Sequence, residues 1–199
     1  MSGAVRDIDP DLLVLERVAD GDVEAFAELV DRHRDRLVRL CHRMLGDREE
    51  ARDAAQDVLV KVFRHAGRFR PRGKVSTWLH SIAVNHCLNR LRRRKIVRFF
   101  GFEDFGDGGD EESGPVFDPA DDAPDPGRRA ESRDRWRRTR RHIDALPVNQ
   151  RAVVVLAKLE GLSYKEVAQT LGVTVGAVES RLFRAMRRLE TLAQEESPE

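Results

Sequence analysis

The sequence has few cysteines, few aromatic residues and no long apolar run. Its two cysteines, Cys41 and Cys87, both fall inside helical patterns, so neither a disulfide framework nor a paired-cysteine zinc site is expected. The longest apolar run, 152–157, has six residues, far fewer than the roughly 20 that cross a bilayer. The N-terminus is acidic and lacks the order of a signal peptide. We therefore expect a cytoplasmic protein without membrane insertion.

A metal site is not expected either. His80, His86 and Cys87 could be taken as a cluster of ligands, but on one helix they do not converge on a point. The sequence predicts no metal and no cofactor.

Net charge is nearly absent, at a formal +1, which alone argues against nucleic-acid binding. This net value hides an uneven distribution of charge along the chain. The segment from Gly101 to Gly127 has ten acidic residues and no basic one. That segment is rich in glycine and proline, which predicts a flexible acidic linker over 99–127. The flanking parts, 1–98 and 128–199, are both basic and are predicted to be the folded domains.

A helix-turn-helix is the strongest local signal. Ser163 and Glu166 form the reciprocal pair that caps a helix start, Gly172 can end that helix, and Thr174 can cap the next. The positions where two such helices meet hold a small and an apolar residue, Ala168 and Val178. This spacing is typical of a motif that reads duplex DNA.

The second helix of this motif has two different faces at 100° per residue. Its predicted packing face consists of Val175, Val178, Leu182, Ala185, Met186, Leu189 and Leu192. The opposite face is small and cationic, with Gly176, Ala177, Ser180, Arg181, Arg184, Arg187 and Arg188. Arginine can bond guanine bidentately, serine can bond either way, and an alanine methyl can meet the thymine methyl. A merely solvated arginine face is the plainer alternative, which the cap, turn and spacing together disfavour.

The first hundred residues predict four helices. Their expected limits are Asp9-Pro10 to Gly21, a long helix ending at Gly46-Asp47, then about Arg48 to Ala66 and about Val75 to Lys95. On the third helix Asp53, Gln56 and Asp57 share the outer side, while Phe63 is expected to face inward. An ordinary solvated face and a docking patch are equally good interpretations of that outer side.

The fourth helix follows a cationic loop that contains Arg68, Arg70 and Lys74. One side of it carries Leu79, Ala83, Cys87 and Leu91, and the opposite side carries Trp78, Ile82, Asn85, Asn89, Arg92 and Arg93. An indole, two amides and two guanidiniums suit stacking, edge hydrogen bonding and phosphate binding to single-stranded nucleic acid. A partly buried Trp78 with polar neighbours is the plainer alternative.

Two stretches, Phe26 to Arg94 and Ile143 to Leu189, resemble the extracytoplasmic-function (ECF) sigma factors of the sigma-70 family of bacterial RNA polymerase. The first carries GDREEARDAAQDVLVKVF (46–63), FRPRGKVSTWLHSIAVN (69–85) and NRLRRR (89–94). The second carries DALPVNQRAVVVLAKLEGLSYKEVAQTLGV (144–173) and VGAVESRLFRA (175–185). The resemblance implies an all-α protein with a four-helix sigma-2-like domain and a helix-turn-helix sigma-4-like domain.

The resemblance also implies partners and residue roles. Core RNA polymerase would be bound at its clamp coiled coil and flap region, with the clamp contacted by Asp53, Gln56, Asp57 and Val60. The unpaired minus-ten strand would be bound by Arg68, Arg70, Lys74, Ser76, Thr77, Trp78, Asn85, Asn89, Arg92 and Arg93. The duplex minus-thirty-five element would be read by Lys165, Gly176, Ala177, Ser180, Arg181, Arg184, Arg187 and Arg188. The resemblance also implies an anti-sigma factor that holds the domains away from polymerase. Our own hypothesis for the acidic linker is that it threads the positively charged cavity of the polymerase.

Several positions depart from the family's usual pattern: Ala54, Leu59, Val75, Asn89 and Glu179. These departures concern the exact promoter sequence that is read and the strength of strand separation, and they do not affect the family resemblance. Phe99, Phe100, Phe102 and Phe105 either extend the first core or dock on a partner. The basic run 128–141 is expected to extend the first helix of the second domain.

Two other functions remain open at this stage. A self-contained helix-turn-helix regulator would bind promoter DNA without polymerase. An enzyme acting on phosphodiesters is disfavoured, because no carboxylate or histidine cluster suits two metals or acid-base work. The protein is therefore not expected to be an enzyme.

Overall fold

The computed structural model describes residues 9–70, 73–99 and 126–196. Within these ranges the chain forms α-helices and turns without a strand, as the all-α prediction requires. The helices are α1 Pro10–Ala19, α2 Val23–Leu45, α3 Arg48–His65, α4 Val75–Phe99, α5 Pro126–Asp144, α6 Val148–Val154, α7 Tyr164–Leu171 and α8 Val175–Glu195. A 3₁₀ turn, Ala66–Arg68, follows α3, and a π-helical turn, Val155–Leu159, continues α6. The acidic linker and the cluster Phe100, Phe102 and Phe105 lie outside the described residues.

Local side chains determine where the helices begin. The carboxylates of Asp9, Asp22 and Asp47 accept backbone N–H bonds at the starts of α1, α2 and α3. These bonds satisfy amide groups that have no partner within the first helical turn. The predicted limits at Asp9-Pro10 and Gly46-Asp47 are confirmed, whereas α4 runs four residues past the expected end at Lys95.

The first half packs around α2, which contacts α1, α3 and α4. Its largest fully buried side chains are Leu15, Leu29, Leu37, Leu40, Met44, Val58, Val62, Leu79 and Val84. Phe63 was predicted to face inward and is instead 40% exposed, with its ring centroid 4.9 Å from that of Phe26. Phe26 of α2 covers part of this ring, and the rest is open to solvent.

The second half is built on α6, whose residues from Arg151 to Val154 are all buried. Against it pack α8 and, through the π-helical turn, α7. Ala168 and Val178 are buried where α7 and α8 meet, as predicted. The packing face of α8 is narrower than expected, since Val175 is 41% and Met186 38% exposed. The neighbouring helices α6 and α7 therefore cover only part of the predicted packing face of α8.

The two halves are in contact, which the prediction of two tethered domains did not include. Helix α4 packs on α7 and α6, and α2 packs on the π-helical turn. The buried apolar residues of both halves accordingly form one continuous cluster. Within the described ranges, no helix is both long and apolar enough to span a membrane.

Candidate nucleic-acid and protein interfaces

The outer face of α3 presents Asp53, Gln56, Asp57 and Val60, all exposed. The Asp57 carboxylate is paired with the Arg90 guanidinium of α4 at 3.3 Å. His86 lies nearby, but Lys61 donates to its Nδ1 at 2.5 Å, and burial followed by the charge of Lys61 lowers its pKa. The ring is therefore neutral, and Arg90 provides the positive charge that faces Asp57.

The start of α4 is fixed by a contact from α1. The carboxylate of Asp9, which also caps α1, accepts the Val75 N–H at 2.7 Å. Arg68, Arg70 and Lys74 are exposed before this start, and Ser76 and Thr77 are half-buried in the first turn. The anchored backbone gives this cationic segment a fixed direction.

Trp78 is not fully open to solvent. Its indole is half-buried and meets Phe69 edge-on, with the ring centroids 5.4 Å apart. Ile82, on the same side of α4, is also partly buried. The half-buried indole is what the plainer interpretation of this face predicts, and it leaves only part of the ring for stacking.

Further along α4, Asn85, Asn89, Arg92 and Arg93 are exposed. Arg92 donates to the side-chain oxygen of Asn89 at 3.4 Å. Asn85 and Arg92 also line a cleft of about 170 Å³ whose other wall includes Asn149, Val173 and Arg181. The structure thus brings residues from the two predicted DNA-binding sets together.

The helix-turn-helix has the predicted geometry. Ser163 Oγ accepts the Glu166 N–H at 3.3 Å, and the Glu166 carboxylate accepts the Ser163 N–H at 2.9 Å. Gly172 adopts the left-handed conformation, with φ of 64°, and ends α7. Thr174 then accepts the Ala177 N–H at 3.2 Å and starts α8.

The side of α8 that was predicted to face DNA is open to solvent. Gly176, Ser180, Arg184, Arg187 and Arg188 are exposed, as is Lys165 on α7, whereas Ala177 and Arg181 are half-buried. The Arg184 Nε donates to the Ser180 carbonyl at 3.2 Å, which directs this guanidinium along the helix. Exposed cations of this kind suit phosphate and base edges.

A set of charged residues at the contact between the halves was missed from the sequence. It consists of Arg43, Arg140, Asp144, Arg151 and Glu160. One signal was available, because Arg151 is a charged residue within the otherwise apolar run of α6, where a buried charge needs partners. Those partners lie far away in the sequence and could not be named.

Of the three residues considered as possible metal ligands, His80 and Cys87 are buried and His86 is half-buried. Burial, and next the charge of Arg36, lowers the pKa of His80 to about 4. A hydrogen bond with Cys41, together with burial, raises the pKa of the Cys87 thiol. Among the residues that the structure describes, no three His, Cys, Asp or Glu side chains are placed to hold a metal ion.

Comparison with known proteins assigns both halves to one family. The sigma-70 region 2 model matches residues 29–96, and the sigma-70 region 4 model matches residues 137–189. ECF RNA polymerase sigma factor SigM of Mycobacterium tuberculosis is 38% identical over 86% of this chain and 79% of its own length. ECF RNA polymerase sigma factor SigW of Bacillus subtilis is 31% identical over 88% of this chain and 92% of its own.

Solved structures agree with this assignment. CnrH, an RNA polymerase sigma factor of Cupriavidus metallidurans, is 31% identical over 95% of this chain and 97% of its own. Its structure in complex with the cytosolic domain of CnrY superposes with a TM-score of 0.64, at 25% identity over 94% of this chain and 99% of that one. The chain belongs to the ECF sigma factors of the sigma-70 family.

Proposed function

We propose that this sigma factor binds core RNA polymerase through the outer face of α3 and places two further faces on promoter DNA. The exposed side of α4 binds the minus-ten element as a single strand, and α8 reads the minus-thirty-five element as duplex. The observation that carries the proposal is that one chain contains both sigma-70 region 2 and region 4. A self-contained regulator would have no use for region 2, so the family assignment does not favour that alternative.

The face of α8 supports duplex recognition. The first turns of α8 follow the tight turn at Gly172, so they can enter a major groove while α7 crosses the backbone. Ser180, Arg181 and Arg184 are the residues proposed to contact base edges. Lys165, Arg187 and Arg188 are proposed to bind phosphates, which adds affinity without sequence information.

The face of α4 supports single-strand binding. Unstacking a base costs a few kcal/mol, and stacking on an aromatic ring recovers about 1–3 kcal/mol per base. The exposed part of Trp78 can provide such stacking, while Asn85 and Asn89 can bond base edges. Arg68, Arg70, Lys74, Arg92 and Arg93 surround these residues with positive charge for the phosphates.

The face of α3 supports docking on a protein. Asp53, Gln56 and Asp57 present carboxylates and an amide beside the exposed apolar side chain of Val60, which is 47% exposed. A basic partner with some apolar surface fits this patch, and the clamp coiled coil of core RNA polymerase is the proposed one. The flap region would meet the second half, and an anti-sigma factor would compete for these surfaces.

Action at the promoter requires neither an enzymatic site nor a cofactor, and we propose that it takes place in the cytoplasm.

In vitro transcription with purified core RNA polymerase tests the proposal. Arg184→Ala is expected to lower initiation at a cognate promoter by about 5- to 150-fold, the effect of losing one bidentate contact worth roughly 1–3 kcal/mol. Arg34→Ala removes the same charge from an exposed site on α2 that has no proposed DNA contact, and it should leave initiation unchanged. Equal activity of both variants, or initiation without core enzyme, would contradict the proposal.

A further inference from the structure

Asp57 and Lys61, both within the described range 9–70, are four residues apart on α3 but form no ion pair with each other. Opposite charges at this spacing are neighbours on a helix surface and commonly pair. The Lys61 ammonium instead donates to Nδ1 of His86 on α4, at 2.5 Å. The ring of His86 therefore takes up a cation that would otherwise lie next to the Asp57 carboxylate.

The protonation of His86 follows from this contact. An ammonium has donors and no acceptor, so Nδ1 must offer a lone pair and the ring must be neutral. The lowered pKa of His86, caused first by burial and then by the charge of Lys61, agrees with this. The ring proton is then on Nε2, which lies 3.4 Å from Oδ2 of Asp57 and has no hydrogen-bond partner among the described residues. Lys61 and Asp57 thus face different nitrogens of one ring.

We propose that His86 is a positioning residue for docking on core RNA polymerase: by accepting the Lys61 ammonium, its ring keeps this cation away from the Asp57 carboxylate that a basic partner must reach. This inference rests on the proposed function of the outer face of α3.

Arg90 does not block the carboxylate in the same way. Its guanidinium approaches Oδ2 of Asp57 at 3.3 Å and also donates to the Glu50 carbonyl at 3.3 Å, so it is shared between two acceptors. The side chain of Asp57 remains 53% exposed, whereas that of His86 is 11% exposed. The carboxylate therefore keeps a solvent-facing surface for a partner.

A released Lys61 would act against docking in two ways. At its position four residues after Asp57 it could pair with that carboxylate, and a basic partner would have to displace it. Its positive charge would also lie at the edge of the docking face, where it repels a basic partner. Both effects weaken binding without any change in the helices.

Removing the acceptor tests the proposal in the full-length protein. His86→Leu cannot accept a hydrogen bond, so Lys61 is released toward Asp57. The affinity for purified core RNA polymerase should fall by about two- to fivefold, the range that a surface ion pair supports. Fluorescence anisotropy of the labelled protein, titrated with core enzyme, measures this affinity, and circular dichroism checks that the helix content is native.

A second substitution separates positioning from packing. In the His86→Leu background, Lys61→Gln removes the released cation and should restore the wild-type affinity, whereas a packing defect would not be repaired. Arg34→Gln in the same background removes an equal charge from an exposed site on α2 and should not restore it. Lys61→Gln alone should change the affinity by less than about twofold, because His86 already holds the ammonium. Equal affinities of folded His86→Leu and the wild type, or no restoration by Lys61→Gln, would overturn the proposal.

The tautomer of His86 gives a readout that needs no polymerase. Nitrogen chemical shifts of the ring in the free wild-type protein at pH 7 should show an unprotonated Nδ1 and a protonated Nε2. The opposite tautomer would overturn the proposal even if His86→Leu does not fold. If the expected tautomer is present but the wild type does not bind core enzyme at all, the proposed function fails instead, and the contact between Lys61 and His86 stands.

Discussion

Gly46 combines two constraints at one residue. It ends α2 with φ of 95°, a backbone conformation that side chains with a Cβ rarely adopt. A Cβ at this position would also lie 3.3 Å from Nη2 of Arg140 and 3.4 Å from Oδ2 of Asp144. The residue that terminates the helix therefore also leaves room for the ion pair of Arg140 with Asp144.

Replacing Gly46 by alanine should lower the free energy of unfolding by more than backbone strain alone. Strain at positive φ costs about 1–2 kcal/mol, and displacement of Arg140 adds to it. Gly21→Ala is the matched control, because Gly21 has φ of 91° but no atom within 4 Å of its Cβ position. Urea denaturation of both variants gives the comparison, and an equal loss in the two would show that the Gly46 contact contributes nothing.

At the scale of elements, α7 depends on its N-terminal cap. Ser163 accepts the Glu166 N–H at 3.3 Å and donates its own hydroxyl to the Glu166 carboxylate at 2.7 Å. The hydrogen bond from the Ser163 side chain, followed by that from the Ser163 backbone, lowers the pKa of the Glu166 carboxyl and keeps it charged at the positive end of the helix dipole. With only eight residues, α7 has little other intrinsic stability.

Two serine-to-alanine changes separate folding from DNA reading. Ser163→Ala should cost about 1 kcal/mol of stability, the usual effect of losing an N-cap, with little change in promoter preference. Ser180→Ala, on the exposed side of α8, should leave stability within about 0.5 kcal/mol and alter preference at one minus-thirty-five base. Thermal unfolding and a promoter-variant transcription series measure the two effects. The reverse assignment of effects would mean that the cap and the reading residue are misidentified.

The elements that the sequence predicted well are those determined by local chemistry. The limits at Asp9, Asp47, Ser163 and Gly172 follow from caps and a left-handed turn whose partners are a few residues away. Side-chain exposure was predicted less well. A helical wheel gives the centre of the buried face of a helix but not its width, because the neighbouring helices determine how much of that face is covered. Three residues predicted to be buried are therefore partly exposed: Val175, Met186 and Phe63.

The residues that join the halves could not be predicted for a different reason. Arg151 and Met44 are 107 positions apart in the sequence. The hydrogen bond of Arg151 is accepted by the backbone carbonyl of Met44, a group that every residue has, so the sequence at this position does not indicate it. The sequence predicted two separate DNA-binding faces, but nothing in either pattern indicates that residues of both line one cleft. Contacts of this range follow only from the packing of complete helices.

At the scale of the whole molecule, the half-buried His42 and the buried His80 make the stability of the fold depend on pH. Burial, then the charge of Arg140, lowers the pKa of His42 to about 4, with Arg48 acting in the same direction and Asp144 and Asp47 opposing. Burial, then Arg36 and His33, lowers the pKa of His80 to about 4, with Glu166 opposing. Both imidazole rings are therefore neutral in the folded chain at pH 7.

The folded chain should lose stability as the pH falls from 6.5 towards 4. In that window the unfolded chain, whose histidines titrate near 6.5, binds more protons than the folded one, so the free energy of unfolding decreases with falling pH. Urea midpoints at pH 7.5, 6.5, 5.5 and 4.5 measure the slope, and the double variant His42→Gln with His80→Gln should reduce it, while His86, whose pKa is also lowered, contributes to the slope that remains. The carboxyl pKa values of Asp22 and Glu166 are lowered, so these two groups change the free energy of unfolding mainly at lower pH. They therefore do not dominate the slope in the range of histidine titration. If the double variant retains the wild-type slope, groups other than these two histidines control the acid response, and the junction of the halves does not sense pH.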